Sequence, residues 1–332
     1  MSYLLKPLKN EKLPLRNRLI MPPMATAKCD KDGNPGKDLF EYYDEKSRGG
    51  YISLIIIEHS FISQQGKAGE GQLSAADDSL IDSLNKLSDI VHKNGSKVVM
   101  QINHSGSAAK KEITGMDAVA PSAVVNPRLK GIVPKELTKA EIKAIIEQFK
   151  AAAYRVKTAG FDGVEIHSAH GYLLNQFLSP LTNKRTDEYG GNIFGRIKIH
   201  LEVIKAVREV VGEDFPILLR LGAFDYMEGG TGIEDSKIAA VEFEKSGVDM
   251  IDISGGLCGY LGNGSHEQGY FSEFSEEIKK VVSVPVILTG GVTEARAAEK
   301  LLAEGKADLI GVGRAILNDS DWAKNAVASL RI

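Results

Sequence analysis

The strongest constraint on the fold is a repeated alternation of short strand-like segments with longer helical stretches. Each segment is apolar and bounded by turn residues, as expected for parallel strands buried on both faces. The eight segments are Leu19 to Met24, Ile52 to Glu58, Lys97 to Asn103, Gly163 to Ser168, Ile217 to Gly222, Met250 to Ser254, Val286 to Thr289 and Leu309 to Gly313. Eight parallel strands alternating with helices close naturally into a (β/α)8 TIM barrel, and right-handed crossovers favour that closure. A doubly wound open sheet is the alternative.

The helical stretches show amphipathic spacing and recognisable ends. Leu80, Leu84, Leu87 and Val91 recur at intervals of three or four residues, which is typical of one face of a helix. Glycine stands where the chain must leave a helix before the next strand, at Gly95, Gly160, Gly212, Gly247 and Gly305. No linker or low-complexity tract divides the 332 residues, so we expect one barrel domain over residues 1–332.

The composition argues against several classes of protein. With a net charge of −3 and no long block of lysine or arginine, the chain is not expected to bind nucleic acid. No segment approaches the roughly 20 apolar residues of a membrane span, and the N-terminal residues do not resemble a signal peptide, so we expect a cytoplasmic protein without a membrane partner. The cysteines Cys29 and Cys258 lack metal-binding or redox spacing. We therefore interpret them as small packed residues, with a reactive thiol as the alternative, and exclude disulfide frameworks and iron–sulfur clusters.

Three polar rings follow the fourth strand-like segment, in the sequence HSAHGY. Residues just past the C-terminal end of a barrel strand point into the mouth of the barrel, so His167, His170 and Tyr172 are candidate site residues. The H-x-x-H spacing on a turn can aim both imidazoles at one small oxygen. Hydrogen-bonded core histidines and a metal site stay open as alternatives. Zinc catalysis would need a third protein ligand, and neither H-E-x-x-H nor C-x-x-C occurs in the chain.

Glycine-rich turns follow the seventh and eighth segments, in LTGGVTEARAAEKL and GVGRAILND. These are the turns at which barrels commonly bind phosphate. The backbone N–H groups of Gly290, Gly291, Gly313 and Arg314 could face an anion, and the Arg314 guanidinium could add charge-assisted bonds. Tight turning alone is the alternative. Because GVGRAI does not complete G-x-G-x-x-G, the expected anion is the monophosphate of a cofactor over the barrel mouth rather than a dinucleotide.

Several long motifs resemble those of one known family. They are the opening LKPLKNEKLPLRNRLIMPPM, then QINHSG, HSAHGYLLNQFLSPLTNKRTDEYGG, and VGRAIL near the end. Over nearly its whole length the chain resembles the Old Yellow Enzyme family of FMN-dependent ene-reductases and NAD(P)H:flavin oxidoreductases. The resemblance implies FMN in the barrel mouth, with its phosphate at the two glycine-rich turns, and NADH or NADPH as the reductant.

The resemblance also implies roles for residues around the flavin. Gln101 matches the glutamine at the pyrimidine edge of the isoalloxazine, and Arg220 matches the arginine beside flavin N1 and O2. Pro23, Met24 and Ala25 match the segment that lies against the flavin. A glutamine or arginine on a strand could instead be a buried polar group with a local partner, which is the alternative to each of these roles.

The catalytic roles implied by the resemblance belong to the three polar rings. His167 and His170 match the pair that holds the carbonyl oxygen of a small α,β-unsaturated substrate, and Tyr172 matches the proton donor. Hydride would pass from flavin N5 to the β-carbon, and Tyr172 would protonate the α-carbon. Reduction of the flavin by NAD(P)H in a separate half-reaction would give ping-pong kinetics.

The sequence departs from the family pattern at several positions. Ala25 stands where many members carry threonine or cysteine, so the side-chain hydrogen bond to the flavin is missing, and His59 is unusual beside a flavin. Cys29 comes four residues too late for the redox-sensing cysteine of one subclass. Arg331 resembles a C-terminal arginine that some relatives insert into a neighbouring subunit, although a solvated tail residue is the alternative. We expect neither the iron–sulfur segment nor the extra nucleotide-binding domain of larger relatives.

Other functions and partners remain open. A dihydrouridine synthase would call for basic patches, which the charge does not supply. A flavin-binding oxidoreductase whose acceptor is a quinone, a nitro compound or another non-alkene is the main alternative. The loops at 121–134 and 255–270, which include Tyr260, His266 and Tyr270, carry no readable ligand motif. They predict neither the substrate nor the preferred nicotinamide, and a homo-oligomer is possible.

Overall fold

The computed structural model describes residues 2–128, 131, 133–262, 264 and 266–331. Eight parallel strands form a closed barrel in the order β1-β10-β9-β8-β7-β6-β3-β2, which confirms the predicted (β/α)8 architecture. The barrel strands are β1 (Leu19–Met21), β2 (Leu54–Phe61), β3 (Lys97–Asn103), β6 (Gly163–Ser168), β7 (Ile217–Gly222), β8 (Met250–Ser254), β9 (Val286–Thr289) and β10 (Leu309–Gly311). A separate two-stranded sheet pairs β4 (Val119–Ala120) with β5 (Lys135–Glu136).

Helices surround the barrel. They are α1 (Lys37–Ser47), α2 (Ile81–Lys93), α3 (Lys111–Thr114), α4 (Lys139–Thr158), α5 (Leu173–Leu178), α6 (Ile193–Arg196), α7 (Lys198–Val211), α8 (Ile233–Lys245), α9 (Ser272–Lys279), α10 (Ala295–Ala303), α11 (Arg314–Asn318) and α12 (Trp322–Ser329). The five glycines predicted at helix ends all adopt left-handed backbone angles, with φ between 74° and 104°. In the described part of the chain, no helix is both long and apolar enough to span a membrane.

Three of the eight predicted strands have wrong boundaries, whereas the other five agree with the structure at both ends. Strand β1 ends at Met21 because two prolines follow, and proline cannot donate to a strand ladder. Strand β2 starts two residues later than predicted and continues to Phe61, since its pairing with β3 resumes beyond an irregularity between Ile57 and Ser60. Strand β10 ends at Gly311, shortly before helix α11 begins.

Alternating side chains separate two apolar cores. Leu54 and Ile56 of β2 belong to a cluster inside the barrel, whereas Ile55 and Ile57 belong to the larger cluster between the strands and the helices. Leu13, together with Leu15, joins the inner cluster from the segment that precedes β1. These residues close the barrel at the N-terminal ends of the strands, so a site for a ligand must open at the opposite end.

Candidate active site

The C-terminal ends of the strands surround a cavity of about 430 Å³. It is lined by every site residue predicted from the sequence: Pro23, Met24, Ala25, Gln101, His167, His170, Tyr172, Arg220, Gly290, Gly291, Gly313 and Arg314. The structure therefore brings these residues together, although they come from six of the eight barrel strands or the turns after them. Their individual roles in binding and catalysis stay predictions.

The turn after β6 presents two imidazoles and a phenol to the cavity. The rings of His167 and His170 lie 5.0 Å apart and nearly perpendicular, and the ring of Tyr172 lies 5.2 Å from that of His167. His170 adopts a left-handed backbone with φ of 60°, and its N–H donates to Gly255 O at 3.1 Å. A left-handed histidine is unfavourable unless its surroundings hold it, and such residues often cluster at functional sites.

Burial keeps both histidines neutral and the tyrosine protonated. Loss of water lowers the pKa of His167 and His170 well below the usual range, and the charge of Arg220 lowers both further. Loss of water also raises the pKa of the Tyr172 phenol. His170 Nε2 lies 2.7 Å from Ser254 Oγ, so the Nδ1 atom of His170 is left for the cavity. At neutral pH the turn therefore offers uncharged hydrogen-bond donors.

A buried layer of polar residues lies at the floor of the cavity. Gln101 Nε2 donates to Glu165 Oε2 at 2.6 Å, so the amide oxygen of Gln101 is the atom left to accept a bond from a ligand. Arg220 Nε lies 3.1 Å from Asp252 Oδ2, and Thr289 Oγ1 donates to Asp252 Oδ1 at 2.8 Å. The outer guanidinium nitrogens of Arg220 make no hydrogen bond to the described residues, so they are left for an acceptor on a ligand.

The two glycine-rich turns form a cradle that a side chain would fill. A Cβ at Gly291, where φ is 71°, would lie 2.4 Å from the Tyr270 ring and 2.8 Å from Glu267 O. A Cβ at Gly313 would lie 2.8 Å from Met24 Sδ. Within the described chain, the N–H groups of Gly290, Gly291, Gly313 and Arg314 donate to no acceptor, which is the condition required for binding a phosphate.

The residues that depart from the family pattern take different places. His59 and Ala25 line the cavity, whereas Arg331 is exposed and is not one of the lining residues. Cys29 is partly buried, and loss of water raises the pKa of its thiol, so it is not an activated thiolate.

The predicted pocket loops are described only in part, because residues 129, 130, 132, 263 and 265 lie outside the described residues. Tyr260 and Tyr270 line the cavity, whereas His266 does not. Tyr270 Oη donates to the backbone carbonyl oxygen of Tyr260 at 2.6 Å, which links the Tyr270 side chain to the backbone of the other loop residue.

Sequence reasoning missed several lining residues and the acidic pair below them. The lining residues are Pro22, Ser254, Thr289, Val292, Thr293, Gly311 and Leu317. Ser254 and Thr289 end predicted strands, so the rule that strand ends face the mouth would have found both. Glu165 and Asp252 are single carboxyl groups within apolar strands, a pattern that indicates a polar layer in the barrel. Among the described residues, no group of three His, Cys, Asp or Glu side chains is placed to hold a metal ion.

Comparison with known proteins gives consistent matches. A sequence model of the NADH:flavin oxidoreductase / NADH oxidase family matches residues 3–331. The chain is 43% identical over 320 residues to NADH oxidase of Thermoanaerobacter brockii, covering 95% of this chain and 49% of that protein. It is 39% identical to NADPH dehydrogenase of Listeria welshimeri, covering 99% of this chain and 96% of that protein. The chain thus spans about half the length of some relatives and nearly all of others.

A solved structure extends the comparison to the fold. The old yellow enzyme homologue from Zymomonas mobilis superimposes with a TM-score of 0.85 at 26% identity, covering 98% of this chain and 92% of that one. The fold, the cavity and the sequence matches agree with one another. The chain therefore belongs to the NADH:flavin oxidoreductase / NADH oxidase family, that is, the Old Yellow Enzyme family of oxidoreductases that use FMN as cofactor and NAD(P)H as reductant.

Proposed function

We propose that the protein reduces the activated C=C bond of small α,β-unsaturated carbonyl compounds with electrons from NAD(P)H. The observation that carries this proposal is the convergence of His167, His170 and Tyr172 in the cavity that also contains Arg220 and the glycine cradle. Two neutral imidazoles suit a carbonyl oxygen that becomes negative during reduction, and a protonated phenol suits the carbon that must then receive a proton.

The residues at the cavity fit FMN on three sides. The cradle of Gly290, Gly291, Gly313 and Arg314 would hold the phosphate through unpaired N–H groups. Gln101 would accept a bond from the pyrimidine edge through its free amide oxygen, because its amide nitrogen is bonded to Glu165. The outer nitrogens of Arg220 would face the part of the ring that becomes negative on reduction. Pro23, Met24 and Ala25 would line the ring, and we propose that this barrel is the single FMN-binding domain.

The bound flavin supplies the hydride, and the side chains of this chain orient the acceptor and provide the proton. In the proposed arrangement the Ser254 hydroxyl donates to His170 Nε2, so Nδ1 of His170 carries the proton and would donate to the carbonyl oxygen. His167, next to it, donates to the same oxygen. Both imidazoles are neutral at pH 7, so they stabilise developing negative charge without transferring their own protons.

In this proposal Tyr172 would protonate the α-carbon. Its phenol makes no hydrogen bond to the described residues, and its raised pKa keeps the proton on Oη at neutral pH. The ring is held between two imidazoles, since it stacks on His59 at 5.4 Å and meets His167 edge-on at 5.2 Å. Both contacts fix the direction in which Oη points into the cavity.

Half-reaction kinetics of the FMN-loaded protein test this proposal. Tyr172→Phe should slow reoxidation of the reduced flavin by cyclohexenone about 10²–10⁴-fold, the usual contribution of a general acid, while reduction by NAD(P)H stays unchanged. Tyr260→Phe is the matched control, because its ring also borders the cavity, 6.1 Å from His170. An equal fall of both half-reactions in Tyr172→Phe would show that Tyr172 is not the proton donor.

A second candidate is direct reoxidation by a non-alkene acceptor such as a quinone, a nitro compound or dioxygen. The name of the relative from Thermoanaerobacter brockii, an NADH oxidase, favours this candidate. Such acceptors need no proton on carbon, so Tyr172→Phe should leave their reduction unchanged. Reoxidation by these compounds together with no reaction of cyclohexenone would favour this second candidate.

A further inference from the structure

His59 is turned into the cavity by a bulge in β2. In the barrel strands one residue faces inward and the next outward, and Ile57 belongs to the outer core. Glu58 also faces outward, because its carboxylate accepts from Thr26 Oγ1 at 2.7 Å and its backbone N–H donates to Tyr43 Oη of helix α1 at 3.0 Å. Two outward residues in succession require the register shift seen between Ile57 and Ser60. The next residue, His59, consequently faces the cavity, as bulges near active sites often re-aim a side chain.

Gln72 fixes the tautomer of His59. The amide oxygen of Gln72 accepts from the N–H of Ala68 at 2.7 Å, which sets the orientation of the amide. Its Nε2 therefore points at His59 Nδ1, 2.8 Å away, and also donates to His59 O at 3.0 Å. An amide nitrogen can only donate, so Nδ1 must be the acceptor and the proton of the neutral ring lies on Nε2.

The Nε2–H group of His59 is unused within the protein. Among the described residues, the side-chain hydrogen bond of His59 is made by Nδ1 and none by Nε2, and His59 is the partly exposed position of an otherwise buried strand. Loss of water lowers the pKa of His59 to about 4, and the charge of Arg220 adds to this effect, so the ring is neutral at pH 7. The cavity thus contains a third uncharged imidazole donor with a fixed direction.

This donor approaches from a different wall than the imidazole pair. The His59 ring lies 6.3 Å from that of His167, whereas the rings of the pair are 5.0 Å apart. In the barrel, β3 separates β2 from β6. The Tyr172 ring stacks on His59 at 5.4 Å and also borders His167. An electron acceptor whose first oxygen is bound by His167 and His170 would therefore extend across the Tyr172 ring, and its opposite end would face His59.

We propose that His59 is a specificity-determining residue, whose Nε2–H binds a second oxygen on the electron acceptor, while His167 and His170 bind the first. The preferred substrates are then α,β-unsaturated compounds with two separated carbonyl oxygens, such as ene-diones. This inference rests on the proposed function, because it assumes that the pair holds a carbonyl oxygen. Gln72 is then a positioning residue, because its bond to Nδ1 of His59 keeps the proton of that ring on Nε2.

The test compares two acceptors in the oxidative half-reaction of the FMN-loaded protein. Ketoisophorone carries a second carbonyl across the ring, and the corresponding trimethylcyclohexenone lacks it. His59→Leu should lower kcat/KM for ketoisophorone about tenfold more than for the mono-ketone, the effect of one neutral hydrogen bond. His59→Gln, which keeps a donor at the end of the side chain, should restore most of that selectivity. Equal losses for both acceptors, or no loss for either, would overturn the proposal.

A second readout does not depend on turnover. Nitrogen-15 NMR of the FMN-loaded protein, with the His59 signals identified by their disappearance in His59→Gln, should show an unprotonated Nδ1 and a protonated Nε2. The opposite tautomer would also overturn the proposal. If neither acceptor reoxidises the wild-type flavin, the proposed function is wrong; if the wild type reacts with both but His59→Leu does not discriminate, only the inference about His59 fails.

Discussion

The carboxyl group of Glu165 should make the protein less stable as the pH rises, and Glu165→Gln should remove that effect. Glu165 is fully buried inside β6, where loss of water, and then the negative charge of Asp252, raise its pKa to about 8. In the unfolded chain the group titrates near its usual value of about 4.3. Between these two values the folded protein binds a proton that the unfolded chain has released.

The sign and size of the effect follow from that proton. Because the folded state binds more protons, the stabilisation by protonated Glu165 is complete below about pH 4 and is lost as the pH rises towards 8. Each pH unit within this window costs about 1.4 kcal/mol, so wild type should lose about 2–3 kcal/mol from this group between pH 5 and pH 7. Glutamine keeps a similar shape, and its amide oxygen can still accept from Gln101 Nε2.

Urea unfolding of both proteins at several pH values measures the effect. The difference between the free energies of unfolding of variant and wild type should grow by about 2–3 kcal/mol in favour of the variant from pH 5 to pH 7. Titrating groups that do not interact with Glu165, including Glu58, whose pKa burial raises to about 7, are common to both proteins and cancel in the difference. A difference that stays flat across this range would mean that Glu165 is already ionised in the folded protein, which would refute the reasoning.

Two further predictions concern the phosphate cradle and the imidazole pair. Gly291→Ala should weaken FMN binding at least about tenfold in a fluorescence titration, because its Cβ would collide with Tyr270. Gly305→Ala is the control, since Gly305 has a similar backbone φ of 74° and open space around it. This variant should leave the FMN affinity unchanged. Equal affinities of the two variants would argue against a phosphate at this turn. Ser254→Ala should lower kcat/KM for cyclohexenone about tenfold and mix the His170 tautomers in nitrogen-15 spectra, because the donor to Nε2 is lost. An unchanged tautomer would mean that another contact fixes the ring.

Much of the fold was predictable because the residues within each strand or helix, and those at its ends, identify it in the sequence. Buried strands form short apolar segments, and glycines end the helices, so five strands agree with the structure at both ends. The wrong strand boundaries lie where the local sequence pattern disagrees with the pairing to a neighbouring strand. Strand β2 runs through His59 because β3 offers partners beyond the bulge, with Phe61 aligned with Asn103. The spacing of apolar residues along the sequence does not reveal such a register shift.

The site was predictable in its membership but not in its internal arrangement. Residues at strand ends meet at the barrel mouth whatever their distance in sequence, so His167, Arg220 and Gly290 could be grouped before the structure was known. The hydrogen-bond and ion-pair partners of those residues could not be predicted from the sequence. The pairing of Gln101 with Glu165, and of Arg220 with Asp252, depends on the neighbour relations of β3, β6, β7 and β8.

By itself, the sequence determined the eightfold strand–helix order, the family resemblance and the set of residues at the mouth, because these depend on periodicity and motifs along the chain. Only the tertiary structure decided the direction and chemical state of the side chains. His59 faces the cavity because a bulge turns it, and it offers Nε2–H because Gln72, thirteen residues further along, occupies its other nitrogen. Hydrogen bonding and burial depend on neighbours in space, and the folded barrel alone brings those neighbours together.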